Sequence, residues 1–224
     1  MMIRKTFDSN WIGRWFRYIS SWYTLTIMLT FYIEYIMLTV ENSYYFSLFI
    51  QLVSLLIFYS TTNLYIPSSR ILLENAYRLE YLVSIIEFFG YLVLGYFLNT
   101  KTNLTAIRYG DWFITTNMLL ISLSCFLLYN REKTHLTESE MSKYDFRYLK
   151  ETYGKEFTQM MCFNTLMLMF GFAGELGYLN RYVSLGFGLI FFFLSFYIVY
   201  QNFVGDIFLN HAFLTLFIFI WLLC

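Results

Sequence analysis

The sequence predicts an all-α fold, a polytopic transmembrane helical bundle, on three observations: its composition, the length of its apolar runs and the placement of its basic residues. Hydrophobic residues make up 58% of the 224 and charged residues 13%, with 26 Phe, 21 Tyr and one Pro. A water-soluble domain of this size cannot bury that much apolar surface, so the lipid bilayer is the partner the composition requires. Formal net charge is zero and there is no basic block, which argues against a nucleic-acid partner; homo-oligomerisation is left open. Cys125, Cys162 and Cys224 sit in separate apolar runs without Cys-x-x-Cys or Cys/His spacing and read as small core hydrophobes. His135 and His211 have no partner at metal-ligand spacing, so no metal site is expected. No phosphate loop, nucleophile elbow or catalytic triad is visible, and no enzyme activity is expected.

A bilayer core needs about 20 mostly apolar residues per helix. Such runs extend from Trp22 to Val40, Tyr45 to Ile66, Tyr81 to Leu98, Ile107 to Tyr129, Met160 to Leu179 and Val183 to Val204. A last piece, Ala212 to Cys224, spans only about 20 Å as a helix and predicts a partial one. The long polar stretch Asn130 to Gln159 reads as a solvated loop with a short amphipathic helix around Tyr144 to Phe157.

Short cytoplasmic segments hold an excess of Lys and Arg. Arg4, Lys5, Arg14 and Arg17 precede the first run, Arg70 and Arg78 lie between the second and third, and Arg131, Lys133, Lys143, Arg147, Lys150 and Lys155 fill the 130–159 loop. The intervening connections hold only Lys101, the boundary residue Arg108 and Arg181. The expectation is an integral, multi-pass membrane protein with a cytoplasmic N-terminus, a first run serving as a signal anchor, and a fourth run travelling from outside to inside. The sequon Asn103-Leu104-Thr105 falls on the outer side, too close to the membrane to be an expected glycosylation site.

The fourth run opens on "RYGDWFITT", residues 108–116. Arg108, Asp111, Thr115 and Ser122 fall at offsets of 0, 3, 7 and 14, one face of a helix. By helical rise Ser122 lies about 16 Å deeper than Asp111. An ionisable residue inside a span is a functional hypothesis by default, and an inward polar stripe suits an ion or proton path, or the counterion of a buried cation. The alternative is that Arg108 and Asp111 neutralise each other at the interface while the hydroxyls bond back to helix carbonyls. Glu87 lies mid-run on the same face as Glu80, as either a structural carboxylic acid or an ion-path residue; Glu34 and Glu175 are weaker cases.

"RYGDWFITT" resembles the third-helix signature of the microbial (type 1) rhodopsins. "LVLGYFLN" (92–99), "FNTLMLMFGFAGELGYL" (163–179), "NRYVSLGFGLIFFF" (180–193) and "FIFIWLL" (217–223) resemble that family's second, fourth, fifth and sixth helices. The resemblance implies a rhodopsin-like bundle over 45–224, with residues 1–44 as a cytoplasmic N-terminus and an extra anchor helix, 130–159 as a cytoplasmic loop, and the last family helix represented only in part. It implies retinal as cofactor: Asp111 as counterion and proton acceptor, Arg108 as a charged gate, Thr115 hydrogen-bonded to Asp111, and Ser122 at the place of a carboxylic proton donor. Trp112, Thr116, Leu119, Asn164, Gly171 and Trp221 would line the retinal pocket, with Trp112 and Trp221 on opposite faces of the polyene. Glu87 resembles the glutamates of the channelrhodopsin second helix.

Two departures carry weight. Asn117 stands where the family has proline, and no Lys lies in an apolar run, so the chain as given has no Schiff-base lysine. That predicts either truncation in the sixth family helix or a chromophore-free relative. The implied function is a retinal-based, light-driven ion transporter, with the proton as the expected ion. The alternatives are a light-gated channel, a photosensor, and, in another class, a retinal-free membrane scaffold or assembly protein.

Overall fold

A single buried stripe joins two stretches that the sequence seems to separate. Helix α5, Phe146–Glu175, runs unbroken for 30 residues, about 45 Å by helical rise. Leu149, Phe157, Met160, Asn164 and Leu168 are all buried along it, with Tyr153 half-buried between them, at steps of three and four residues. Asp145 starts the helix by accepting the Tyr148 N–H at 2.8 Å. The segment expected as loop from Phe146 to Gln159 is therefore helix continuous with the fifth apolar run. Its charged residues Lys150, Glu151 and Lys155 occupy the exposed side, which is why it resembles a solvated loop in sequence. What remains of that loop is 133–145, with the four-residue helix α4, Glu138–Met141. A capping box holds α4, Thr137 N–H and Oγ1 both donating to Glu140 Oε2 at 2.9 and 2.7 Å. These bonds keep the exposed Glu140 carboxyl below its ordinary pKa.

The computed structural model describes residues 40–61, 71–97, 104–133 and 135–223. The run Trp22 to Val40 up to its last residue, and with it Glu34, Lys5, Lys101, Asn103 and Cys224, lie outside the described residues. The chain divides into two compact units, Met1–Ser47 and Leu48–Cys224; everything that follows concerns the second. In chain order the remaining elements are α1 Val40–Thr61, α2 Ile71–Phe97, α3 Leu104–Glu132, α6 Arg181–Val199, a π-helical turn Tyr200–Val204 and α7 Phe208–Leu223. All the described elements are helical.

Helix α2 begins ten residues before the apolar run that announced it, with Leu72 and Ala76 already buried in its first turns. Helix α3 is central: it packs on α2 and α5 and meets the π-turn. Its lower half supplies much of the core, Leu120, Leu123, Cys125, Leu127 and Leu128, against Met160 from α5 and Phe196, Val199 and Phe203 from the α6 side. Of the cysteines, Cys125 is buried and Cys162 faces outward. Asn180 caps α6 through Tyr182 N–H at 2.9 Å. Gly205, at φ +62°, ends the π-turn in a backbone region that side chains rarely adopt.

Ile71–Phe97, Leu104–Glu132 and Arg181–Val204 are each long and apolar enough to cross a membrane, and Tyr44–Ile57 and Phe208–Leu222 are shorter apolar helices. Their outward faces carry Phe89, Leu92, Val93, Ile190, Phe193 and Tyr197, all exposed. Helices satisfy their own backbone hydrogen bonds, so such faces suit lipid. This is an integral membrane protein.

Candidate functional site

Helix α3 places Thr115 and Ser122 fully inside, at 0% and 4% exposure, with Asp111 partly buried above them and Arg108 exposed at the mouth. The ion pair of Arg108 with Asp111, the alternative to the functional reading, does not form. The Arg108 guanidinium lies over the Trp112 ring, 4.8 Å from its centroid, a cation–π placement one turn along the same helix. The ion pairs among the described residues are Arg78–Glu74, Arg131–Glu132 and Arg147–Glu151. Asp111 Oδ1 is buried without a hydrogen-bond partner.

Asp111 reaches the interior because α2 has no side chain in its way. A Cβ at Gly90 would stand 3.0 Å from Asp111 Oδ2 and 3.2 Å from its Cγ. A small cavity of about 60 Å³ opens there between Gly90, Tyr91, Arg108, Asp111 and Trp112. Three turns of polar groups continue inward. Thr115 Oγ1 donates to the Asp111 main-chain carbonyl at 3.2 Å. Glu87 accepts from Gln51 Nε2 of α1 at 2.8 Å and lies in the electrostatic reach of both Asp111 and Glu80. Ser122 leaves its own helix altogether, its Oγ donating to the Ala76 carbonyl of α2 at 3.3 Å.

A second polar group sits on the α5 side of α3. Asn164, 1% exposed, donates from Nδ2 to Thr116 Oγ1 at 2.8 Å and to Asn117 Oδ1 at 3.0 Å. Thr116 donates back to the Trp112 carbonyl at 2.6 Å, and Asn117 Nδ2 to the Phe113 carbonyl at 2.8 Å. Asn117 thus fills the place of the missing proline with a side chain that braces α3, and the helix runs through it unbroken.

The expected pocket residues divide. Leu119 is half-buried on α3. The space left by Gly171 is taken by Tyr109, whose hydroxyl would stand 2.7 Å from a Cβ there and donates to Glu175 Oε1 at 3.1 Å. Trp112 stacks near Tyr109, whereas Trp221 packs with Phe196 and Phe217 in a different aromatic group. Gly90, Gln51, Glu80, Tyr109 and Asn117 were not singled out as site members by sequence. The signal for Gly90 was a glycine inside an apolar helix, which marks a close helix–helix approach.

The class that this defines is a bundle of membrane-crossing helices with a carboxylate held partly inside it. The chain matches the family described as "Bacteriorhodopsin-like protein" over residues 19–223, and it belongs to that family. The match begins ahead of Trp22 and so takes in the N-terminal run set apart above. A comparison with curated proteins finds no match.

Members of this family typically bind retinal. The residues present fit one end of it: the Asp111 carboxyl is buried at Oδ1 without a hydrogen-bond partner, beside Trp112. Among the described residues none supplies the attachment: Lys133, Lys143, Lys150 and Lys155 are exposed beyond the far end of α3 or along α5. The cavity at Asp111 is also well below the ~300 Å³ of a small-molecule pocket, so these residues alone do not enclose the chain of the cofactor.

Proposed function

We propose that the chain is the proton-handling body of a light-driven, retinal-using proton transporter, in which Asp111 accepts and releases the proton and the α2–α3 interface is its path. The observation that carries the reading is the buried, unpartnered Asp111 Oδ1 pressed against Gly90. Leaving such an atom unpaired costs about 1–3 kcal/mol or more for a charged group, a cost that function rather than folding explains. Retinal would supply light absorption, and its protonated imine with a lysine would supply the buried positive charge for Asp111 to balance. Asp111 itself holds the proton, Thr115 fixes the helix turn beneath it, Arg108 marks the outer mouth, and Trp112 with Gly90 and Tyr91 forms the wall nearest the carboxylate, while Thr116, Leu119 and Asn164 lie elsewhere along α3 and α5.

A channel is the second reading, favoured by Glu87, whose contact with Gln51 extends the acidic path to α1. Proton flux into dye-loaded proteoliposomes tests both, in darkness and with all-trans retinal under light. Asp111→Asn should lower the flux about tenfold, in keeping with loss of a proton-transfer group. Flux that needs an imposed gradient supports the channel. Equal flux in wild type and Asp111→Asn overturns the reading in favour of a scaffold.

Orientation belongs to the same proposal. The N-terminus and the 133–145 connection face the cytoplasm, because the basic residues gather there. A single cysteine at the exposed position of Lys143 should stay unlabelled by an impermeant thiol reagent on intact cells and react after permeabilisation; labelling of intact cells inverts the topology.

A further inference from the structure

Three successive carbonyls of α3 each accept a hydrogen bond from the side chain four residues on. Thr115 Oγ1 donates to Asp111 O at 3.2 Å, Thr116 Oγ1 to Trp112 O at 2.6 Å and Asn117 Nδ2 to Phe113 O at 2.8 Å. Thr116 and Asn117 are also tied to α5. Asn164 gives one amide hydrogen to Thr116 Oγ1 at 2.8 Å and the other to Asn117 Oδ1 at 3.0 Å, and Asn117 Nδ2 reaches Thr165 Oγ1 at 3.3 Å. An amide nitrogen carries two hydrogens and a hydroxyl one, so the donors of Asn164, Asn117 and Thr116 are all used, and neither amide can turn over without losing its partners.

Asp111 faces the other neighbour of α3, seated on α2 where a Cβ at Gly90 would stand 3.0 Å from its Oδ2. Six residues of helix set Asp111 and Asn117 about 120° apart around the axis, one towards α2 and the other towards α5. We infer that Asn117 is a positioning residue for Asp111: held by Asn164 and Thr165, it sets the rotation of α3 against α5 and so keeps the Asp111 carboxyl in the space at Gly90. This rests on the reading that Asp111 transfers the proton. Apolar contact is non-directional, and lipid gives no hydrophobic drive between helices; hydrogen bonds have a direction, and these run from one helix to the other. The alternatives at 117 show what asparagine adds. Proline lacks both the side-chain amide and the main-chain donor. Aspartate could accept from Asn164 but has no hydrogen for the Phe113 carbonyl when ionised. Serine can bond back to its own helix, as Thr116 does, but is too short to take the place of the amide towards α5.

The test compares wild type, Asp111→Asn, Asn117→Leu, Asn117→Ser and Gly174→Ala as full chains in proteoliposomes. The readouts are proton flux and the infrared band of the Asp111 carboxyl, assigned by its loss in Asp111→Asn. Asn117→Leu should cut flux about tenfold, less than the roughly hundredfold that a 1 Å misplacement of a reacting group can cost, and should shift the Asp111 band. Asn117→Ser, which keeps the bond within α3, should do the same and carries the test alone if the leucine variant does not insert. Gly174→Ala, which loosens the bundle at the α5–α6 contact, should leave the band in place. If Asp111→Asn lowers flux while the Asn117 variants leave flux and band unchanged, the inference is overturned and the Asp111 reading survives. A lowered flux with an unmoved band, or a band moved equally by Gly174→Ala, also overturns it, because Asn117 then only holds the bundle together. If Asp111→Asn does not lower flux, both fall.

Discussion

Replacing Gly174 with leucine should weaken the α5–α6 hairpin by about 3 kcal/mol, the upper part of the usual cost of overpacking a well-filled interface. A Cβ at this position would run into Oγ and Cβ of Ser184. Ser184, 4% exposed, has no room to retreat, because its hydroxyl is bonded to the Phe170 carbonyl one turn back on α5. Small residues let membrane helices approach closely where lipid offers no hydrophobic drive for association, and here the glycine and the serine occupy one another's space. Reversible unfolding in mixed micelles should show the loss in Gly174→Leu, a smaller one in Gly174→Ala, and recovery when Gly174→Ala is combined with Ser184→Gly. A Gly174→Leu protein as stable as wild type would mean that the hairpin is looser than its contacts imply.

Arg131→Met should cost about 3 kcal/mol, because one guanidinium serves three elements. It donates to Glu132 Oε1 at 2.8 Å, to the Asn202 carbonyl of the π-turn at 2.6 Å and to the Tyr153 hydroxyl of α5 at 2.9 Å. Hydrogen bonds to charged groups contribute about 1.5–3 kcal/mol each when shielded, and partial exposure of this group reduces the sum. Methionine keeps the aliphatic stem that lies against Gly205 and removes the charge. Tyr153→Phe should cost about 1 kcal/mol, one neutral arm of the set. Equilibrium unfolding gives both values, and hydrogen exchange at 200–207 should speed up in Arg131→Met while that of α2 stays unchanged. Uniform acceleration would show a global rather than a local role.

Much of α3 was legible because its signal is periodic: Asp111, Thr115 and Ser122 sit at spacings of four and seven residues, and a helix can bury them only together. Helix α5 was half legible. Its stripe of Leu149, Phe157 and Met160 is regular, but Lys150, Glu151 and Lys155 lower the average hydropathy of the same window, and an average cannot tell a charged outer face from a solvated loop. Glu80 fell outside the apolar run, which begins at Tyr81, whereas the helix starts at Ile71. The partner of Arg108 was illegible in principle: Asp111 and Trp112 are three and four residues away, both reachable, and only side-chain packing chooses between them. The same holds for the space at Gly171, since nothing in a linear pattern announces that Tyr109 from another helix will fill it.

The π-turn that joins α6 to α7 is packed by Phe203 and Val204 and gripped from outside at its main chain. Arg131 holds the carbonyl of Asn202, and Asn210 Nδ2 holds those of Val204 and Leu127. A carbonyl is common to every residue, so the grip of Arg131 and Asn210 does not depend on which side chains stand at 202 and 204. Evolutionary drift at the exposed Tyr200 and Gln201 can therefore rewrite the surface of the turn without loosening the joint, and a rewritten surface is available for other tasks. The two residues that grip the turn have no such freedom, although they lie outside it and distant from one another in sequence.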